Sequence, residues 1–392
     1  MSVADLALQR NKYKHLSDDE WRWFLQQVEG RERTAEKLPT FAAIEDWWYP
    51  VRLSCEQCSS EMTARYKASL IANFKFQVSN FADLTGGYGV DTYFLSEQFT
   101  HTDYIEQNKE LCRIAEHNFS LPTPSLPKGK EIRVHNSTAE DFLKTAGQYD
   151  LLFLDPARRD NHGGKVFRLE DCTPNVVELL PTLLAHGKRL LLKLSPMLDL
   201  TQAILHLTPY TLHLSWDSYV VAIKNEVKEV LLLSGGSGRI TAIDLAKKEQ
   251  AFVFSREDEN AATSEYSDYS DFSDKYLYEP NAAILKAGAY KLVAQRFGLR
   301  KLDVNTHLYC SEKFVPDFPG RVWQIKGEGM KGERMKGEQV NVLCRNYPLT
   351  PEQLKKKLHL HDGGTAFVIG CRVNNKPTLF FAQRVEDVHG ES

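Results

Sequence analysis

Phe81-Ala-Asp-Leu-Thr-Gly-Gly-Tyr-Gly-Val-Asp91 is the stretch whose reading decides the fold. Its apolar start reads as a short strand ending at Asp83. Gly86, Gly87 and Gly89 then turn the chain into a helix expected to begin near Asp91. Only glycine lets a backbone turn this tightly and press against a ligand. The following helix presents free N–H groups to whatever sits in the turn. Strand, glycine turn and helix in that order make a cradle of the nucleotide type. Glu106 ends the next strand, His101-Thr-Asp-Tyr-Ile-Glu106, roughly twenty residues on, where an acid can accept hydrogen bonds from ribose hydroxyls.

The kind of nucleotide follows from what is missing. The dinucleotide fingerprint G-x-G-x-x-G fails, because Thr92 occupies the third glycine position after Gly87 and Gly89. No Gly-Lys-Ser/Thr follows, so there is no phosphate loop. Asp-x-x-Gly-Gly-x-Gly with an acid at the end of the second strand resembles the class I S-adenosylmethionine-dependent methyltransferases. That resemblance implies that the three glycines pass close to the methionine part of the cofactor, with Asp83, Thr85 and Asp91 in the same cofactor-binding set. It implies that Glu106, with Gln107 beside it, holds the ribose.

The rest of the composition bounds the answer. A chain of 392 residues with 42% hydrophobic content is expected to form two or three domains. A net charge of −3 shows no global basic field for nucleic acid, though a local basic face stays open. The first residues, Met-Ser-Val-Ala-Asp-Leu-Ala-Leu-Gln-Arg, lack the apolar core of a signal peptide, and no run is long enough to span a membrane. Seven scattered cysteines suggest reduced thiols and a cytoplasmic protein.

Residues 1–76 read as a helical region. Ser17 and Glu20 form a capping-box signal, and Trp21, Phe24, Leu25 and Val28 follow at helical spacing. Phe41, Ile44, Trp47, Trp48 and Tyr49 form an aromatic cluster read as packing. Cys55 and Cys58 make a lone C-x-x-C with no second pair, so no metal site is expected. Ser60, Glu61, Arg65 and Lys67 precede the glycine turn, where several base-modifying methyltransferases cap the cofactor pocket.

From residue 77 the rhythm is strand, helix, strand, helix, the mark of a parallel sheet covered on both faces. Strand three, Glu131–His135, leads to Glu140 and Asp141. One of these is expected to face the adenine amino group, or else to sit at a helix N-terminus because the dipole favours it. Strand four delivers Asp155-Pro156-Ala-Arg-Arg159 to the switch point of the sheet. The resemblance places Asp155 and Pro156 at the acceptor, as in the Asn/Asp-Pro-Pro-aromatic motif of nitrogen methyltransferases. Ala157 and Arg158 depart from that motif, and Cys172 lacks the setting of a carbon methyltransferase's nucleophile. Arg158 and Arg159 stand where an anionic substrate would approach, or pin an acidic loop such as Glu170-Asp171. Lys193, near the end of a buried strand, is expected to meet either Asp155 or a substrate phosphate. Thr211–Trp216 and Glu229–Ser234 are read as the closing antiparallel pair, with Lys224–Glu229 as a charged hairpin.

The remainder divides into a linker with a small α/β unit over 241–316 and a second unit over 317–392. A helix is expected over Asn281–Phe297. Thr85-Gly-Gly-Tyr-Gly89, Asp155-Pro-Ala-Arg-Arg159, Lys193-Leu-Ser-Pro-Met197 and Asn305-Thr-His307 together resemble a bacterial family. Its members join a class I methyltransferase domain, here 77–240, to ferredoxin-like and THUMP-like domains. The expected fold is therefore α/β: a Rossmann-like seven-stranded sheet, an N-terminal helical region and small C-terminal α+β domains. The resemblance implies S-adenosylmethionine as cofactor and RNA, tRNA foremost, as partner. Arg321, Arg345 and Lys355–Lys357 are candidate phosphate contacts. A protein or small-molecule methyltransferase, or a non-catalytic RNA-binding protein on the same fold, are the alternatives.

Overall fold

The computed structural model describes residues 3–74, 78–122, 131–158, 169–211, 214–246, 251–267, 275–328, 337 and 339–385. The chain forms two units. The first holds Met1–Asp217 and Glu229–Ser237, the second Ser218–Lys228 and Gly238–Ser392.

The longest N-terminal helix of the first unit is α1 (Asp18–Thr34), which starts where its capping box predicts. The Ser17 hydroxyl accepts from the Glu20 N–H at 3.3 Å, and the Glu20 carboxylate accepts from the Ser17 N–H at 2.7 Å. Helix α2 (Arg52–Gln57) and helix α3 (Glu61–Ala72, capped by Ser60) follow. The aromatic cluster between α1 and α2 is core. Phe41 stacks on Trp47 at 4.1 Å and meets Tyr93 edge-on at 5.0 Å. The Trp47 indole N–H donates to the Tyr88 hydroxyl at 2.9 Å, so this region grips the glycine turn directly. Two amides of α1, from Gln26 and Gln27, donate to the Tyr49 carbonyl. Gly30 lets α1 lie against Tyr49, because a Cβ there would fall 2.2 Å from the Tyr49 Cβ.

The sheet is built from β1 (Asn80–Asp83), β2 (His101–Glu106), β3 (Glu131–Asn136), β4 (Leu151–Leu154) and β5 (Leu190–Leu194). Helices α4 (Val90–Ser96), α5 (Lys109–Ser120), α6 (Ala139–Leu143) and α7 (Val176–His186) connect them. The chain leaves this unit along β6 (Trp216–Ile223) and returns in β7 (Glu226–Ser234). Within the unit the order is β3-β2-β1-β4-β5-β7. All neighbours are parallel except β5 and β7. β4 is buried throughout and β5 at all but Lys193, as a strand covered on both faces requires. The reversal of strand order between β1 and β4 opens a crevice at their C-terminal ends.

One expectation is corrected. The sixth strand, expected over Thr211–Trp216, starts at Trp216 and runs through the β-branched Val220-Val221 to Ile223. Lys224 and Asn225, at φ 51° and 64°, then make the two-residue turn into β7. That left-handed pair suits the twist of a hairpin, and it shortens the expected charged loop to two residues.

In the second unit, β8 (Ile240–Asp244) pairs in parallel with β6 and antiparallel with β9 (Phe252–Phe254). Its larger sheet has seven strands: β10 (Tyr276–Pro280), β11 (Arg300–Lys301), β12 (Tyr309–Ser311), β13 (Gly320–Glu328), β14 (Asn341–Arg345), β15 (Ala366–Val373) and β16 (Lys376–Arg384). The order is β11-β12-β10-β13-β16-β15-β14, closed over Leu277, Trp323, Ile369 and Phe380. The helix expected over Asn281–Phe297 is two helices, α8 (Ala282–Ala287) and α9 (Lys291–Phe297). Gly288, at φ 80°, ends the first. Helix α10 (Pro351–Leu358) carries the three lysines in its last turn.

Gly30→Ala should lower stability by about 1–3 kcal/mol through overpacking against Tyr49. Urea denaturation checks this, and an unchanged midpoint would show that α1 moves away freely.

Candidate functional site

A cavity of about 330 Å³ lies at the C-terminal ends of β1 and β4. The glycine turn forms one wall. Gly87 and Gly89 have φ of 55° and 83°, the left-handed region that glycine alone enters without strain. Gly86 is needed for space, since a Cβ there would meet the Tyr104 ring at 2.1 Å. The Tyr104 hydroxyl donates to the Gly87 carbonyl at 2.5 Å and fixes the turn from below.

Glu106 stands at the rim with its carboxylate held in place. It accepts from the Gly87 N–H at 3.0 Å and from the Asn108 N–H at 2.7 Å. Each oxygen keeps a lone pair for a hydroxyl donor. Gln107 lines the same wall. Of the two acids after β3, Glu140 lines the cavity, whereas Asp141 is exposed and pairs with Lys144 at 2.7 Å. The helix-terminus alternative therefore describes Asp141, and its place in the cofactor set is corrected.

Asp83 is the buried anchor of the turn. Its carboxylate accepts from the Thr85 N–H at 3.0 Å and the Thr92 hydroxyl at 2.6 Å. Burial pushes its pKa up to about 7, despite the lowering effect of those two hydrogen bonds, and nearby Asp91 and Asp155 add to the rise.

Asp155 follows β4 and lines the cavity, and its N–H donates to the Thr85 hydroxyl at 2.7 Å. Pro156 is not part of the lining, so the cavity wall here is Asp155 and Ala157. Lys193 reaches Asp155 directly and stands 3.7 Å from Asp91. Its ammonium thus meets Asp155, the first of the two partners expected for it. Burial works against its charge, but Asp155, Asp91 and Glu229 outweigh that and raise its pKa. Arg158 pairs by backbone with Cys172 in a two-stranded ribbon. Nothing is described of its side chain, and Arg159 lies outside the described residues.

Sequence reasoning missed part of the site. The segment before α3 contributes Ser54, Gln57, Cys58 and Ser59 to the lining, rather than Ser60, Glu61 or Arg65. Burial raises the Cys58 thiol pKa, so it is no ready nucleophile. Lys67 is fully buried beneath the cavity, with Glu229 of β7 at 2.7 Å and Asp91 at 3.1 Å. The signal for Glu229 was a charge opening the apolar run Val230-Leu-Leu-Leu233, but nothing local named Lys67 as its partner 162 residues away.

Among the described residues, Asp83, Asp91, Glu106, Glu140 and Asp155 line the cavity, with the ammonium of Lys193 beside them. Among the described residues no group of side chains could hold a metal ion, and no helix is long and apolar enough to cross a membrane.

Comparison with known proteins adds the following. A ferredoxin-like domain model matches residues 276–319, and a THUMP domain-like model matches residues 330–384. No curated protein matches the sequence. Among solved structures, a protein of Porphyromonas gingivalis W83 described as a "putative methyltransferase" is similar over 95% of this chain and 92% of its own, at 32% identity and a TM-score of 0.82. A Streptococcus mutans protein carrying the same description, solved with SAH, is 11% identical over 43% of this chain and 94% of its own, at a TM-score of 0.33. The Thermus thermophilus 16S rRNA N2 G1207 methyltransferase, solved with AdoMet and guanosine, is 13% identical over 48% of this chain and 46% of its own, at 0.35. The last two likenesses are too slight to carry an argument.

Asp83 supplies a test of the site's electrostatics. Folded, it keeps its proton to about pH 7; unfolded, it loses it near 3.9, roughly. The folded state binds the extra proton between these values, so this group's contribution to stability falls as pH rises through that window. Asp83→Asn should flatten the fall in unfolding free energy between about pH 4 and 7, measured by urea denaturation. Equal slopes in variant and wild type would overturn the assignment.

Proposed function

This chain belongs to the same family as the Porphyromonas gingivalis protein, a methyltransferase fold followed by ferredoxin-like and THUMP-like domains, and we propose that it transfers a methyl group from S-adenosylmethionine to a base in RNA, with tRNA the favoured class. The observation that carries the cofactor is the charge of the cavity. Among the described lining residues acids outnumber the ammonium of Lys193, even with Asp83 holding its proton to about pH 7, which disfavours a phosphate-bearing ligand and suits a cationic nucleoside. S-adenosylmethionine supplies an electrophilic methyl on a sulfonium and carries no phosphate.

The residues divide the work. Glu106, pinned by two backbone N–H groups, accepts from the ribose hydroxyls, with Gln107 beside it. The glycine turn admits the methionine portion, with Asp83, Thr85 and Asp91 around it. Glu140 faces the adenine amino group. Asp155 accepts a hydrogen bond from the acceptor nitrogen and turns its lone pair towards the methyl. Lys193 holds the Asp155 carboxylate, and the Thr85 hydroxyl accepts from its backbone N–H. Catalysis by this route is mainly positioning. Arg158 and Arg159 are proposed to take substrate phosphate at the cavity mouth.

The second reading, a protein or small-molecule substrate, is favoured by one observation. Much of the candidate basic face is already paired. Lys355 meets Asp362 at 2.8 Å, and Arg345 contacts Glu279, with Arg321 at 3.8 Å from the same carboxylate. Lys356 and Lys357 remain exposed. The THUMP-like domain weighs the other way.

Calorimetry should show S-adenosylmethionine binding to the wild type, none to Gly87→Trp, and affinity about tenfold weaker or worse in Glu106→Ala, the scale of a lost charge-assisted hydrogen bond. No binding by the wild type would overturn the cofactor. Labelled methyl should enter tRNA. Incorporation into protein or small molecules alone would overturn the RNA substrate.

A further inference from the structure

Five buried or half-buried charges alternate in sign beneath the cavity, each from a different element. Glu229 of β7 holds Lys67 of α3 with both carboxylate oxygens at 2.7 Å. Lys67 lies 3.1 Å from one oxygen of Asp91, at the start of α4. The other Asp91 oxygen is 3.7 Å from Lys193 of β5 and accepts from the Ser59 hydroxyl at 2.6 Å. Lys193 closes the row on Asp155, after β4.

Side-chain exposure along the row is 3%, 0%, 9%, 12% and 38%, from Glu229 to Asp155. Asp155, Lys193 and Asp91 line the cavity, and Asp155 is the most exposed of the row. The Lys67–Glu229 end touches no ligand space, since neither residue lines it. Holding α3 to β7 does not require charge, because apolar side chains of similar volume generally do as well as a buried ion pair. An alternating row does something an apolar contact does not: each charge sets the balance of the next.

We infer that Lys67 and Glu229 are positioning residues, which act through Asp91 and Lys193 to set the charge balance at Asp155 and direct its carboxylate into the cavity. Glu229 draws Lys67 so that Asp91 is shared between Lys67 and Lys193. Asp91 in turn limits how strongly Lys193 grips Asp155. Among the described residues, Asp83 of β1 is a further acidic neighbour of Asp155; it belongs to the glycine turn and stays the same in every variant below.

The alternation makes a prediction with opposite signs. Removing the charge of Glu229 leaves Lys67 to Asp91, frees Lys193 for Asp155, and favours the ionised form of Asp155. Removing the charge of Lys67 leaves Asp91 to compete for Lys193 and disfavours it. General loss of structure would move both variants the same way. The inference takes its purpose from the methyl-transfer reading, but its measurement does not depend on it. Failure of the wild type to bind S-adenosylmethionine would sink that reading and leave the alternation to be judged by itself.

The experiment is a pH titration by carbon NMR of the free full-length protein with carboxyl-labelled aspartate. The Asp155 signal is identified by its loss in Asp155→Asn. Glu229→Gln should lower its midpoint and Lys67→Met should raise it, each by about half a pH unit, the scale of Coulomb coupling between partly screened charges. The Lys67→Met/Glu229→Gln pair should return it to the wild-type value. Glu229→Asp keeps the charge on a shorter stem and should move the midpoint less than Glu229→Gln. Shifts of one sign in both single variants, no shift in either, or an equal shift with Asp and Gln would each overturn the inference.

Discussion

The first unit depends on how it buries charge. A lysine with no exposed surface can stand inside a protein only if carboxylates come to it, and Lys67 gathers two, from α4 and β7. Removing one partner of such a pair costs about 3–5 kcal/mol, because the survivor stays buried and unpaired. The N-terminal helices, the glycine turn and the last strand of the unit are therefore joined at one point. That point lies under the cavity, not on the far side of the sheet. The requirement to satisfy Lys67 and the requirement to shape the cavity floor are met by the same side chains.

A second constraint acts from the outer side. The glycine turn has little side-chain substance of its own, so its shape has to be imposed. Tyr104 supports it from β2, Thr92 and Thr85 bind Asp83 beneath it, and Trp47 ties down Tyr88. The N-terminal region is thus part of the cavity wall through Ser54–Ser59, and it is also what packs the turn.

How much could be read in advance follows from the range of each interaction. Asp83, the glycines and Glu106 lie within one strand-turn-helix-strand, where spacing alone carries the signal, and the cavity contains all of them. The alternating parallel sheet was equally legible, because buried strands such as Leu151–Leu154 and Leu190–Leu194 are continuous apolar runs. The sixth strand was misplaced because Thr211–Trp216 alternates as well as the true strand does, and the left-handed Lys224-Asn225 turn that decides the matter is not a glycine turn. The helix break at Gly288 was hidden inside a good helical pattern. Lys67 was read as one of the residues capping the pocket before the glycine turn, and Glu229 as the end of a charged hairpin. Their meaning lies in their pairing, and pairing across 162 residues has no local trace.

The acidity of the cavity also limits how an RNA substrate could use it. A cavity whose described lining holds more acids than ammonium groups favours a sulfonium over a phosphate. A base can enter because its edges are uncharged, but its backbone must stay outside. Entry of this kind means taking the base out of its stack, at a cost of about a few kcal/mol. Grip on the backbone then has to come from cations beyond the cavity wall, since Lys193 is committed to Asp155 and Asp91. On the proposed reading, the site that holds the reacting base and the surface that holds the RNA are necessarily different surfaces. On that reading, the THUMP-like domain matched at residues 330–384 is the part proposed to hold the RNA.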